Sequence, residues 1–469
     1  MVEFGTDTSY GRSTAWYPTP GRFLQTPILV AGMKASTTYH MRAQTTCAGN
    51  MAASADQIFT TGPLPSNSSF PKLTVLRPNP SLSSSESPGI ELIDMIDIAI
   101  PATTDLIQAM FTDRDANPIW FYDVGPGSYP FTIKPLPNGH IVFSITRPNI
   151  PTILREVDLA GNTIREMDSV ALGQKVQAAG FDFVPNTYHH DLLPLENGHL
   201  IVLTNFVRPF TNLPGSPGTT EVIGDGLVDL DENWNPVWAW NSFDYLDVNR
   251  HLNGLPDWTH SNALVYSPSD GNLLLSMRHQ SWVLKIDYNN GTGTGNVLWR
   301  LGYQGDFALT EDGVPTDDPS QWFSFQHFPS LVSQSGSQTT LAIWDNGDSR
   351  LDSGGANPCA TPPLFLSCHS RATVFQIDES AKVANLHWDD LPEDFSLWGG
   401  SINQLGNGNV EFDINAPTPP PIANEASEVH EVTQTSSPLI IWELQIPLPY
   451  NAYRAYRVPS LYPGVAWQN

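Results

Sequence analysis

The chain has 469 residues, 40 % of them hydrophobic and only 15 % charged, which allows roughly three average domains or one large repetitive domain with an appendage. Lys+Arg 22 against Asp+Glu 48 leaves a formal net charge of −26, a poor surface for nucleic acid or an anionic membrane. Ten per cent aromatics argue against disorder, and Gly 35 with Pro 41 among short β-branched and aromatic runs predicts an all-β chain. No stretch approaches the ~20 apolar residues of a membrane helix. The opening MVEFGTDTSY has no signal-peptide pattern.

Residues 1–62 read as short strands, STAWY, QTPILVAG, TTYHMRAQT and DQIFTTG, separated by Gly, Pro and Ser. The passage from LVAGMKASTTYHMRAQ to IFTTGPLP resembles the last strands of a fibronectin type III-like β-sandwich, with Tyr39 as its core tyrosine. At 62 residues it is short for that sandwich, which usually needs ~100, and a trimmed N-terminus would account for the difference. PLPSNSSFP, residues 63–71, reads as a linker.

From residue 72 onward the sequence repeats. The first turns are LPNG (136–139), LENG (195–198), SPSDG (267–271), SQSGS (333–337) and LGNG (405–408). The second halves recur as TDRDANPIWFYD, VDLAGNTIREMD, VDLDENWNPVWAWN and their later counterparts. Trp120, Trp238, Trp299, Trp388 and Trp442 hold one position in these units, and Arg165 stands there in the second. Four short strands per unit, six units, predict a six-bladed β-propeller over 72–469, with 72–122 as a degenerate first blade. The tryptophans are expected to pack between blades.

Eight positions before the turn glycine, blade three has His190, and blades four and five have His260 and His327 after slightly longer turns. Phe131 and Gly400 occupy the place in blades two and six. Three consecutive blades thus set a histidine at the start of the innermost strand, facing the central channel at one mouth. Arg278 returns toward His260 on the next strand, and IWDNGDSR brings Asp345, Asn346 and Arg350 to the same mouth. Such a cationic cluster in an acidic protein suits a small anion. By strand alternation His189 and His279 are expected on the opposite face, as packing or as support behind the site residues. Trp258, Phe325, Tyr188 and Trp398 lie beside the channel register, as aryl-pocket lining or as packing. Cys359 and Cys368, in the Pro-rich NPCATPPLFLSC, form either a disulfide staple or two free thiols; Cys47 stands alone.

The block DWTHSNALVYSPSDGNLLLSMRHQSWVLKID (257–287) resembles the signature of the aryl-sulfate sulfotransferases, and YHHDLLPLENGH, FSFQHFPSL and WDNGDSR match their other blocks in order. The resemblance covers roughly residues 70–465. It implies a six-bladed propeller that moves a sulfuryl group from an aryl sulfate ester to a phenolic acceptor by a ping-pong route through a sulfohistidine. It also implies no cofactor and no nucleotide donor. His327 is then the nucleophile, His260 and Arg278 bind the sulfuryl oxygens, His190 completes the pocket, and Asn262 of the HxN motif supports it. QHF replaces the usual QHD-like block, so orientation of His327 passes to another residue, with Asp345 the candidate. The location implied is periplasmic or secreted, with an export signal absent from this chain.

The chemistry suits these residue types. Imidazole, with an unperturbed pKa of ~6.5, is a neutral nucleophile near pH 7. A guanidinium gives two parallel hydrogen bonds to an oxyanion, and a second imidazole, His190 or His260, can carry the proton. Two other classes compete: a metalloenzyme built on the three channel histidines, which Arg278 opposes by charge, and a non-catalytic ligand-binding propeller.

Overall fold

Runs such as IVFSITR at Ile141–Arg147 and NLLLSM at Asn272–Met277 are apolar without alternation, which a strand tolerates only when both faces are covered. In the computed structural model, which describes residues 1–18, 27–66, 69–96, 106–360, 367–415 and 427–468, they are second strands of four-stranded antiparallel sheets. Blades two to five begin with the innermost strands Tyr129–Pro135, Thr187–Pro194, Ser261–Ser267 and His327–Ser335, and blade six with Ile402–Gln404. From blade two to blade six each innermost strand lies beside that of the next blade. Ile90–Ile96 of blade one meets the innermost strand of blade two, and Asn451–Val458 meets the sixth sheet. Most of the turn glycines that mark the repeat, such as Gly139, Gly198 and Gly408, have φ near +87°, where a side chain is strained.

Blade one differs from the sequence reading. Its innermost strand is Asn451–Val458, the last of the chain, antiparallel to Ile90–Ile96. Thr74–Leu76, expected in blade one, instead adds to the outer edge of blade six beside Ile440–Ile446. The first and last strands of the blade-one sheet thus come from opposite ends of the repeat region. A hairpin, Ala308–Glu311 and Val314–Thr316, extends blade five outward by parallel pairing with Val383–Asp390.

The recurring tryptophans sit on the fourth strand of their blades and bind the following blade. Trp120 Nε1–H donates to Leu159 O at 3.1 Å, Trp238 to Gly293 O at 3.2 Å and Trp299 to Glu379 Oε2 at 3.0 Å. Trp388 donates to Thr435 O at 2.9 Å, and Trp442 to Arg114 O at 3.0 Å across the closure. In blade two Arg165 does the same work, with Nη1 2.5 Å from Glu232 O and its guanidinium 4.3 Å from the Trp234 ring. The sequence expected inter-blade packing here, and every one of the six junctions has it.

The N-terminal segment is not a sandwich in the described residues. Val2–Gly5, Arg12–Ser13, Thr38–Cys47, Asn50–Ala53 and Gln57–Thr60 make one five-stranded sheet. Its apolar side, with Phe4 and Tyr39, joins the core of blades one and two. The C-terminal segment packs on this sheet: Trp467 meets Phe4 edge-on at 5.8 Å, and its Nε1–H donates to Ser13 O at 2.9 Å. Cys359 and Cys368 form a disulfide, and Cys47 is free and exposed. Residues 67–68 of the linker and 416–426 of a Pro-rich insert lie outside the described residues. No helix among those described is long and apolar enough to cross a membrane.

Candidate active site

Five of the six innermost strands skip one or more residues at the same end. Pairing jumps between Phe131 and Ile133, Tyr188 and Leu192, Ser261 and Ala263, His327 and Ser330, and Ala452 and Arg454. Such bulges bend the strand and re-aim side chains. His190 and His260 have φ of 53° and 47°, a left-handed conformation unfavourable to a residue with a Cβ. Strain repeated at one register marks where the channel side chains are set.

The three expected histidines and Arg278 come together. The His190 and His260 rings are 4.7 Å apart, and His260 Nδ1–H donates to Asp257 Oδ2 at 2.5 Å. His327 is 2 % exposed. Its Nδ1 lies 2.7 Å from Asn346 Oδ1, while Asn346 Nδ2 donates to Ser396 O at 2.8 Å and Gly399 O at 3.0 Å. Those two carbonyls fix the amide, so Oδ1 faces His327 and can only accept. His327 therefore carries its proton on Nδ1, and Nε2 keeps the lone pair, with the Gly399 N–H 3.3 Å away. Burial, then Arg278, pushes the His327 imidazole well below its ordinary value, so it is neutral. Burial and the neighbouring His260 do the same to His190.

Arg278 lies 4.7 Å over the Phe325 ring and donates to Asp348 Oδ2 at 2.8 Å and to Leu397 O at 3.1 Å. Burial raises the Asp348 carboxyl to about 7 against the pull of Arg278. This partner is partly protonated near neutrality and leaves the guanidinium open to a stronger anion. Arg278 Nε and Arg454 Nε are buried without hydrogen-bond partners.

Several expectations need correction. His189 and His279 are not on the opposite face. His189 Nδ1 is 2.8 Å from His190 Nδ1, and the His279 ring stacks on His260 at 4.5 Å. The bulge around His190 and the short 3₁₀ turn Arg278–Gln280 cancel strand alternation there. Asp345 does not orient His327. It accepts the Ser324 N–H at 2.9 Å and pairs with Arg350 at 2.5 Å and Arg371 at 3.0 Å. Asn346 takes the orienting place, and Arg350 is held between Asp345 and His369. Trp258 and Tyr188 are packing: Trp258 stacks on Phe243 at 5.1 Å, and Tyr188 lies in the core between blades two and three. Phe325 is at the site, 5.4 Å from His279. Trp398 is half-buried, next to Gly399. Asn262 donates from Nδ2 to Gln326 O at 2.8 Å, and its backbone carbonyl accepts from Arg454.

Blade one supplies residues that the register count missed because its inner strand comes last in the chain. Tyr453 sits in the bulge, its ring 5.9 Å from His190 and 6.2 Å from His327. Arg454, fully buried, pairs with Asp191 at 2.8 Å, and Lys134 meets the same carboxylate at 3.1 Å. AYRAYR near the C-terminus was the available signal. Gly400 of blade six has no side chain because a Cβ there would stand 2.3 Å from the Trp344 ring.

Among the described residues, two groups have donor atoms close enough for a metal: Asp257 with His260 and His279, and Glu428 with His430 and Glu443 on blade six. The first is not the channel trio expected from sequence. Both His279 nitrogens there are already engaged, Nδ1 with Asp257 O at 2.8 Å and Nε2 with Arg278 at 2.9 Å. A cavity of 580 Å³, lined by Tyr10, Arg12, Lys34 and Arg77, lies between the N-terminal sheet and blade one and holds none of the histidines.

A family model described as Arylsulfotransferase (ASST) matches residues 96–457. No curated protein matches the chain. Among solved structures, a protein of unknown function from Bacteroides caccae is similar at 10 % identity and TM-score 0.43, over 79 % of this chain and 98 % of that one. TolB from Acinetobacter baumannii is similar at 10 % identity and TM-score 0.39, over 90 % and 79 %. Scores this low carry no functional argument.

Proposed function

The chain belongs to the arylsulfotransferase family and is a sulfotransferase enzyme; from that premise we propose that His327 shuttles a sulfuryl group between an aryl sulfate and a phenol. The observation that carries this reading is the Asn346 contact, which leaves His327 Nε2 unprotonated in a cationic pocket. In the first step Nε2 attacks sulfur, the aryl C–O–S link breaks at the O–S bond, and the phenolate leaves. His327 keeps its Nδ1 proton, because an amide oxygen accepts a hydrogen bond but does not remove the proton. The product is a sulfated imidazolium, whose positive ring makes it a good sulfuryl donor. In the second step an acceptor phenol attacks that sulfur and the N–S bond breaks.

Arg278 neutralises the sulfuryl oxygens, released by a partner whose carboxyl titrates near neutrality. The Gly399 N–H is placed to donate to one of them once Nε2 carries the group. His190 or His260 moves the proton of leaving and attacking phenol. The Cys359–Cys368 disulfide supports a periplasmic or secreted location.

Incubation with 4-nitrophenyl sulfate and phenol tests the proposal. Nitrophenolate release that requires phenol, survives EDTA and vanishes in His327→Ala is expected. Release without acceptor makes the protein a sulfatase, EDTA sensitivity points to a metal centre, and no release over many donors leaves a binding module.

A further inference from the structure

His189 Nδ1 and His190 Nδ1 are 2.8 Å apart. Two imidazole nitrogens at that distance need one N–H and one lone pair between them. The far side of His189 decides which ring gives the proton. Its Nε2 is buried, and the Asp225 carboxylate stands 3.4 Å away. A lone pair turned toward that anion would be repelled, so Nε2 carries the hydrogen. His189 Nδ1 is then the acceptor, and His190 donates from its own Nδ1. The basic nitrogen of His190 is Nε2.

Asp225 is well fixed for this part. It is 2 % exposed and accepts the Ser261 N–H at 2.5 Å. Against the upward push of burial, its His189 and Ser261 contacts hold the carboxyl below its ordinary range. His260 has a carboxylate of its own in Asp257, but its ring is stacked on His279 and it is the less enclosed of the two.

We propose that Asp225 and His189 form a relay that fixes His190 in its Nδ1–H form and makes it the acid–base group of both half-reactions. His189 and Asp225 are positioning residues, and the idea rests on the sulfuryl-transfer reading above. When the anionic donor binds, His190 takes up a proton from solvent at Nε2, and as the O–S bond breaks in the first step it gives that proton to the departing phenolate. In the second, Nε2 takes the proton of the attacking phenol, while the N–S electron pair returns to His327. His190 thus ends the cycle in the state it held with donor bound. His260, His189, His327 and Arg454 all face His190, and with burial they keep it neutral in the empty site. A bound sulfate anion favours the doubly protonated ring, which strengthens its bond to His189 with Asp225 behind it.

Two measurements test the relay. Nitrogen-15 NMR of histidine-labelled protein, with His190 assigned by its loss in His190→Gln, reads the tautomer without any turnover. The Nδ1–H form in the wild type, lost in His189→Phe, is expected; the Nε2–H form overturns the relay whatever the enzyme's activity. Single-turnover sulfation of the enzyme, without acceptor, then compares two donors. Phenyl sulfate has a basic leaving group that needs a proton, and 4-nitrophenyl sulfate does not. His189→Phe and Asp225→Asn should slow the first about 10²-fold and the second by less than about threefold. Equal slowing of both donors overturns the relay and makes His189 structural, with 4-nitrophenyl turnover serving as the folding control. If wild-type protein transfers from neither donor, the sulfotransferase reading fails, and the tautomer still judges the relay.

Discussion

His327 and Asn346 concentrate the chemistry into one contact. An Asn beside the nucleophile fixes the tautomer and leaves the proton on the ring without adding a negative charge to the pocket. Asn346→Ala orphans that N–H, at a cost of ~1–3 kcal/mol, and should lower kcat by about 10- to 100-fold with little change in KM. Steady-state kinetics check this, and a change confined to KM would contradict it. The direction of the His327 shift gives a second expectation. A histidine whose pKa is lowered in the folded state stays neutral below pH 6.5, so nucleophilicity survives there. The rate of first-step sulfation should stay level as pH falls from 7 past 6, and a fall centred at 6.5 would contradict burial as the controlling effect. By linkage the unfolded chain binds that proton first, so the same burial costs stability as pH drops below 6.5.

At the scale of strands, the sequence supported the blade repeat because turn glycines and outer-strand tryptophans recur at fixed places. It did not support side-chain direction at the channel. Alternation is a rule for regular pairing, and the bulges at Tyr188–Leu192 and Ser261–Ala263 break it where the site lies. His189 and His279 were therefore expected to face away, and Asn346 was expected to matter less than Asp345. Blade one was misplaced for another reason: its inner strand is the last of the chain, so a count along the sequence never reaches Tyr453 or Arg454. That closing strand is anchored by Arg457, which meets Glu91 at 2.8 Å, Glu431 at 3.1 Å and also Glu411, all buried. Removing one member of a buried ionic group leaves the others uncompensated. Arg457→Met should destabilise the protein by ~3–5 kcal/mol, seen as an earlier urea midpoint. A loss under about 1 kcal/mol would show that the strand is held by apolar packing alone.

For the molecule as a whole, the net charge of −26 and the cationic pocket act in opposite directions on an anionic substrate. The acidic surface repels an aryl sulfate at long range, and Arg278 and Arg454 attract it only inside the channel. Raising ionic strength from ~0.01 M to ~0.15 M shortens the screening length from ~30 Å to ~8 Å. kcat/KM for the donor should therefore rise with salt, and a fall would mean that the pocket's field dominates the approach. The central claim is that His327 holds the sulfuryl group between two substrates. Rapid mixing with an aryl sulfate and no acceptor, a neutral quench and peptide mass spectrometry tests it most directly. One sulfuryl group is predicted on the peptide containing His327, and it should disappear when phenol is added. An unmodified His327 during turnover, or a sulfuryl group on another residue, would contradict the account.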